Sequence, residues 1–210
     1  MISSLDTGVV MIRLLSIVLS LFLSVAVQAN QKILVLGDSL SAGYQMAIEQ
    51  SWPSLLPSIF SQQGQAISVI NGSISGDTTG NGLARLPQLL KQHQPSWVIV
   101  ELGANDGLRG FPPKLISSNL SEIIDISKTS GANVVLMQIR VPPNYGKRYG
   151  EMFYGIYPAI ADKKNVILMP FFLEQVITKP EWMMSDGLHP KPEAQPFIAN
   201  FVAQELLKHL

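Results

Sequence analysis

A chain of 210 residues, 47% hydrophobic and only 14% charged, is long enough for one substantial core and too apolar to remain disordered. Its 15 basic side chains balance 15 acidic ones, so nucleic acid and strongly anionic membrane surfaces are poor partners. The absence of cysteine excludes a disulfide framework and a lipid anchor of the bacterial lipoprotein kind.

The first segment reads as an address. Leu14 to Val27 is apolar, follows Arg13 and runs into Gln28-Ala29-Asn30. A positive flank, a short apolar run and the Val27-x-Ala29 pattern predict a secretory signal over residues 1–29, cleaved after Ala29. The run falls short of the ~20 residues that cross a bilayer, which counts against an uncleaved anchor. Met1 to Val10 contains Asp6 and no Lys or Arg, a poor n-region, so Met11 is an alternative start. The expected product is one domain over residues 30–210, a periplasmic monomer without stable membrane insertion.

Along that domain, strand-like and helix-like segments alternate. Lys32 to Gly37, Ile67 to Asn71, Trp97 to Leu102, Asn133 to Ile139 and Val166 to Met169 are continuous apolar runs, the pattern of strands covered on both faces. Helical character lies between them, over Trp52 to Gln63, Gly82 to Gln92, Lys114 to Thr129 and Tyr149 to Lys163, with a last helix over Glu193 to Leu210. In the third of these, Leu115, Leu120, Ile123, Ile124 and Ser127 are expected to face inward. Pro192 suits the first turn of the final helix, and Pro196 is expected to distort it. The alternation predicts a five-stranded parallel sheet in a three-layer α/β/α sandwich with flavodoxin-like winding, its site at the carboxyl edge.

The chemistry gathers in four loops. Gly37-Asp38-Ser39-Leu40 follows the first strand, and Asn71 to Gly80 the second. Gly103-Ala104-Asn105-Asp106 follows the third, and Asp186-Gly187-Leu188-His189 precedes the last helix. Each has a plain reading as capping or turn chemistry. His189 resists it, because His93 and His209 have no acid placed nearby to orient them. A serine hydroxyl at a strand end, with Asp186 and His189 three residues apart, supplies the nucleophile, base and base-orienting acid of acyl transfer.

In order and spacing the four loops resemble the blocks of the SGNH (GDSL) hydrolase family, from about Lys32 to the end of the chain. Leu83 to Pro87, Lys91 to Pro95, Glu101-Leu102-Gly103 and Gln138-Ile139-Arg140 make the chain similar to its periplasmic acyl-CoA thioesterase, lysophospholipase and arylesterase subgroup. The resemblance implies Ser39, Asp186 and His189 as catalytic residues, and an oxyanion hole built from the Ser39 and Gly76 backbone N–H groups and the Asn105 side chain. Acyl esters, acyl-CoA thioesters and lysophospholipids are the implied substrates. Ala104 stands where glycine is frequent, so the loop holding Asn105 is expected to deviate. The first block lacks the last glycine of a G-x-S-x-G elbow, which points to a shallow site. Leu108, Phe111, Pro112, Val141, Pro142 and Tyr145 are the expected apolar walls for an acyl tail. No metal or other cofactor is expected, since Asp38, Asp77 and Asp106 are scattered and no histidine pair has ligand spacing. Two alternatives stand beside this reading: a carbohydrate O-acetyl esterase, and a nucleotide-binding module suggested by Gly80-x-Gly82, where Arg85 replaces the third glycine.

Overall fold

The computed structural model describes residues 31–210, so the expected signal and the alternative start at Met11 lie outside the described residues. Five strands, β1 (Gln31–Gly37), β2 (Ile67–Asn71), β3 (Trp97–Glu101), β4 (Asn133–Met137) and β5 (Ile167–Met169), form one sheet in the order β2-β1-β3-β4-β5. All neighbours are parallel. This is the expected flavodoxin-like winding. The central strands are buried on both faces, from Ile33 to Leu36, Val98 to Val100 and Val134 to Met137, which is why they read as unbroken apolar runs. The edge strands β2 and β5 are only half-buried along most of their length.

Seven α-helices complete the described fold: α1 (Ser39–Ala42), α2 (Trp52–Gln62), α3 (Thr79–His93), α4 (Ala104–Leu108), α5 (Pro113–Thr129), α6 (Lys147–Lys164) and α7 (Gln195–Leu207). From β1 the chain crosses outward to β2, then reverses to β3, β4 and β5. Right-handed crossovers therefore put α2 on one face and α3, α5 and α6 on the other. Accordingly α2 packs on α7, while α5 packs between α3 and α6. The reversal sets a topological switch point between the carboxyl ends of β1 and β3, where such folds bind ligands.

Three local expectations needed correction. On α5 the buried stripe is Ile116, Leu120, Ile123, Ile124 and Ser127, and Leu115 is exposed. A step of five residues from 115 to 120 leaves the helical face, whereas a step of four keeps to it. Pro192 opens a 3₁₀ turn, Pro192–Ala194, rather than the helix, and Pro196 sits in the first turn of α7, where a missing N–H costs no intrahelical bond. Helix α3 starts at Thr79, three residues ahead of expectation, capped by the Thr78 hydroxyl, which accepts the Asn81 N–H at 3.3 Å.

That early start puts Gly80 and Gly82 inside the helix. A Cβ on residue 82 would collide with the Leu102 side chain, so Gly82 serves close helix–strand packing. The N-terminus of α3 is already filled by the chain's own acid. Asp106 accepts the Thr79 N–H at 2.8 Å and the Thr79 hydroxyl at 2.6 Å. A dinucleotide phosphate has no place there.

Candidate active site

Strand β1 ends in the buried core and hands the chain to α1 through Asp38. The Asp38 carboxylate accepts the Leu40 N–H at 3.1 Å, so Asp38, not Ser39, caps this short helix. The Ser39 hydroxyl is thereby left free of capping. It points instead to His189, with Oγ 2.8 Å from Nε2.

His189 is held by a compact loop that precedes α7. Met183 and Pro190 form an antiparallel bridge, and the Met184 N–H reaches the His189 carbonyl at 2.8 Å. Inside the loop, one Asp186 oxygen accepts the backbone N–H groups of Leu188 and His189 at 2.8 and 3.0 Å. The other lies 2.7 Å from His189 Nδ1. Partial burial pushes the Asp186 carboxyl up, but these N–H bonds and the imidazole outweigh it and hold the group below the usual carboxylate range. An ionised Asp186 accepts a hydrogen bond from Nδ1–H and so holds the proton on that nitrogen, which leaves Nε2 to accept from the Ser39 hydroxyl. The Tyr44 ring stacks on the imidazole with centroids 4.2 Å apart and fixes its plane.

The loops after β2 and β3 close the other side. Ile74 to Asp77 forms a turn through the Asp77 N–H to the Ile74 carbonyl at 3.1 Å, with Gly76 at φ 86° in its third position. That is a type II turn, which needs glycine there. In the next loop the positive φ, 117°, falls on Gly103, and Ala104 begins α4. No left-handed backbone is therefore asked of Ala104. Asn105, one residue on, directs Nδ2 to the Asp38 carboxylate at 3.1 Å and to the Asp77 carbonyl at 3.0 Å. Donation to a third oxygen requires that one of those bonds be shared. Asp38 is fully buried, and desolvation pushes its carboxyl up to about 7 against the bonds from Leu40 and Asn105.

Ser39, Gly76, Asn105 and His189 thus face one cleft, reached from four distant parts of the chain. A family model for GDSL-like lipases and acylhydrolases matches residues 35–195, most of the chain and all four loops. The chain belongs to the GDSL-like lipase/acylhydrolase family. An arylesterase of Vibrio mimicus is 75% identical over 200 residues, covering 95% of this chain and 100% of that protein. The thioesterase 1/protease 1/lysophospholipase L1 of Escherichia coli strain K12 is 54% identical over 178 residues, covering 85% of this chain and 84% of its own. Among solved structures, the psychrotrophic esterase EstA of Pseudoalteromonas sp., inhibited by monoethylphosphonate, superposes with a TM-score of 0.83 at 43% identity. It covers 85% of this chain and 97% of that one.

In this GDSL-like acylhydrolase the cleft encloses about 480 Å³. Of the six expected wall residues, Leu108, Val141 and Pro142 line it. Phe111, Pro112 and Tyr145 do not. Phe111 packs against the hydrophobic core, Pro112 precedes α5, and the Tyr145 hydroxyl turns back to the Leu108 carbonyl at 2.8 Å. The missing wall comes from Phe171, Leu173 and Ile177, in the loop after β5. The position of that loop after a strand's carboxyl end was the available signal. Its apolar composition hid it among core segments.

Proposed function

We propose that this enzyme cleaves carboxylic ester and thioester bonds of acyl substrates through an acyl-enzyme on Ser39. The observation that carries the reading is the continuous relay from Ser39 Oγ to His189 at 2.8 Å and from His189 to Asp186 at 2.7 Å. Ser39 attacks the acyl carbonyl as His189 takes its proton, and the same imidazole returns that proton to the departing alkoxide or thiolate. Water then repeats the sequence and frees the carboxylic acid. Asp186 holds the imidazole tautomer and stabilises the imidazolium. The Ser39 and Gly76 N–H groups and Asn105 stabilise the oxyanion. For Asn105 the donor shared is the one on the neutral Asp77 carbonyl, because the bond to the Asp38 carboxylate is charge-assisted whenever Asp38 is ionised.

The apolar walls support acyl tails longer than acetyl, against a carbohydrate O-acetyl esterase. The names of the relatives extend the proposed substrates to aryl esters, acyl thioesters and lysophospholipids. The proposed relay is complete within one chain, so the chemistry calls for no second copy, and a monomer is part of the proposal. Among the described residues no helix is long and apolar enough to cross a membrane. Export by a signal over residues 1–29 to a periplasm completes the proposal.

Three measurements test it. A phosphonate ester should label Ser39 alone and in one-to-one amount, by peptide mass spectrometry. Labelling elsewhere with loss of activity would sink the assignment. With p-nitrophenyl esters from acetyl to palmitoyl, kcat/KM should rise well above the acetyl value as the chain lengthens, and a maximum at acetyl would return the O-acetyl esterase to first place. Asp186→Asn should lower kcat by about 10⁴, through the wrong imidazole tautomer, while leaving KM nearly unchanged.

A further inference from the structure

Glu101 ends β3 directly opposite Gly37 in the sheet register, and its side chain is fully buried. The acyl-transfer chemistry leaves this carboxyl unused. Its Oε2 accepts the Asp38 N–H at 3.3 Å and the Ser41 hydroxyl at 2.7 Å, so its two donors bracket Ser39 from either side. A Cβ on residue 37 would stand 2.7 Å from Oε2 and 2.9 Å from both Ser41 Oγ and Ser73 Oγ. Only glycine lets the carboxyl come this close to the turn.

The surroundings determine its charge state. Asp38 approaches from the turn, Tyr157 from α6, and Asp77 and Asp106 lie beyond Asp38. The cation that comes near is Arg85 of α3, and it is committed to Asp77 at 2.6 Å and to the carbonyls of Gly72 and Gly37. Burial and the neighbouring Asp38 push the Glu101 carboxyl well above the usual range. Its other oxygen, Oε1, has no partner in the interior. A carboxylate would leave a formal charge unmatched there, at high cost.

We propose that Glu101 is a positioning residue for the nucleophile, a neutral carboxylic acid that clamps the Asp38-to-Ser41 turn and so keeps Ser39 Oγ at bonding distance from His189. The proposal rests on Ser39 being the nucleophile. Its neutral form makes a specific demand: glutamine, which keeps an acceptor oxygen for both donors, should replace it.

The experiment compares Glu101→Gln, Glu101→Ala and Ser41→Ala with the parent for kcat and KM on p-nitrophenyl butyrate from pH 5 to 9, with thermal melts. Phosphonate titration of the parent tests the nucleophile separately. Glu101→Gln should keep most of the parent kcat across that range. Glu101→Ala should lose about 10² in kcat at nearly unchanged KM, the size of effect that follows from an ångström-scale misplacement of a reacting group. Ser41→Ala, which removes one of the two donors, should fall between them. A glutamine variant as impaired as the alanine one overturns the neutral-acid clamp. So does a folded Glu101→Ala protein with parental kcat. Should Glu101→Ala fail to fold, parental kcat in Ser41→Ala overturns it instead.

Discussion

Replacing Ser39 by alanine is expected to lower kcat for every ester and thioester substrate by on the order of 10⁶, while the protein melts within a few degrees of the parent. The first half follows from the relay. Without Oγ, His189 Nε2 has nothing to deprotonate but water, and only the donors around the oxyanion and the bound geometry remain to speed the reaction. The second half follows from where the hydroxyl sits. Ser39 makes no capping bond, because Asp38 caps α1, and its Oγ borders an open cleft, so its removal strands no buried partner. Alanine also suits the first position of a helix. Steady-state kinetics with a p-nitrophenyl ester, beside a thermal melt, checks both halves. A folded variant that retained appreciable turnover would show that acyl transfer does not pass through this residue.

How much of this site was legible before folding depended on the kind of residue. Taken singly, Gly76, Asn105 and Asp186 read as turn chemistry, which demands such residues anyway. His189 stood out for its neighbouring acid, and Gly76 and Asn105 were picked out only by the resemblance of the four loops, in order, to the family's blocks. The parallel sheet was legible for the same physical reason that it is stable: strands buried on both faces must be apolar throughout. Tyr44, Phe171, Leu173 and Ile177 carried no such mark, since apolar and aromatic residues look alike whether they fill a core or line a cleft. Helices α1 and α4 are shorter than two turns, so no periodicity could reveal them. The ambiguity of Gly80-x-Gly82 had a similar origin. Gly82 is a close-packing residue of α3 against Leu102, and that contact, with Asp106 filling the start of the helix, distinguishes the segment from a phosphate loop.

The least legible feature was the burial of acids. Asp, Glu, Lys and Arg are surface residues by default, yet Asp38, Glu101 and Asp106 lie fully buried beneath the site. Each is explained by a donor set that only the fold assembles. Asp38 joins the Leu40 N–H to Asn105, Glu101 joins the Asp38 N–H to Ser41, and Asp106 fills the start of α3. Carboxyl groups thereby tie the loop after β3 to the turn after β1 and to the start of α3. Such ties give these segments a defined geometry, but they make folding answer to pH.

That dependence has a definite sign. Desolvation raises the Asp38 carboxyl from 3.8 to about 7, and Glu101 is raised as well by its burial and by Asp38. Between the unfolded and folded values the native state binds more protons than the unfolded chain, so the unfolding free energy decreases as pH rises. The contribution is fully present below about pH 4 and is lost as pH climbs through 7. Asp38 and Glu101 act in the same direction, so their contributions reinforce one another over this range. Asp186, held below the usual range, acts in the opposite sense, but its stabilisation is lost only as pH falls through that lowered value, outside this window. Urea unfolding of residues 30–210 should therefore give a midpoint that drops steadily from pH 5 to pH 8, with the slope against denaturant unchanged. Glu101→Gln cannot ionise, so its midpoint should fall less steeply with pH than the parent's. A midpoint that stayed level or rose over this range would mean that the buried acids are ionised and compensated in the native state, and the account of Asp38 and Glu101 as desolvated groups would be wrong.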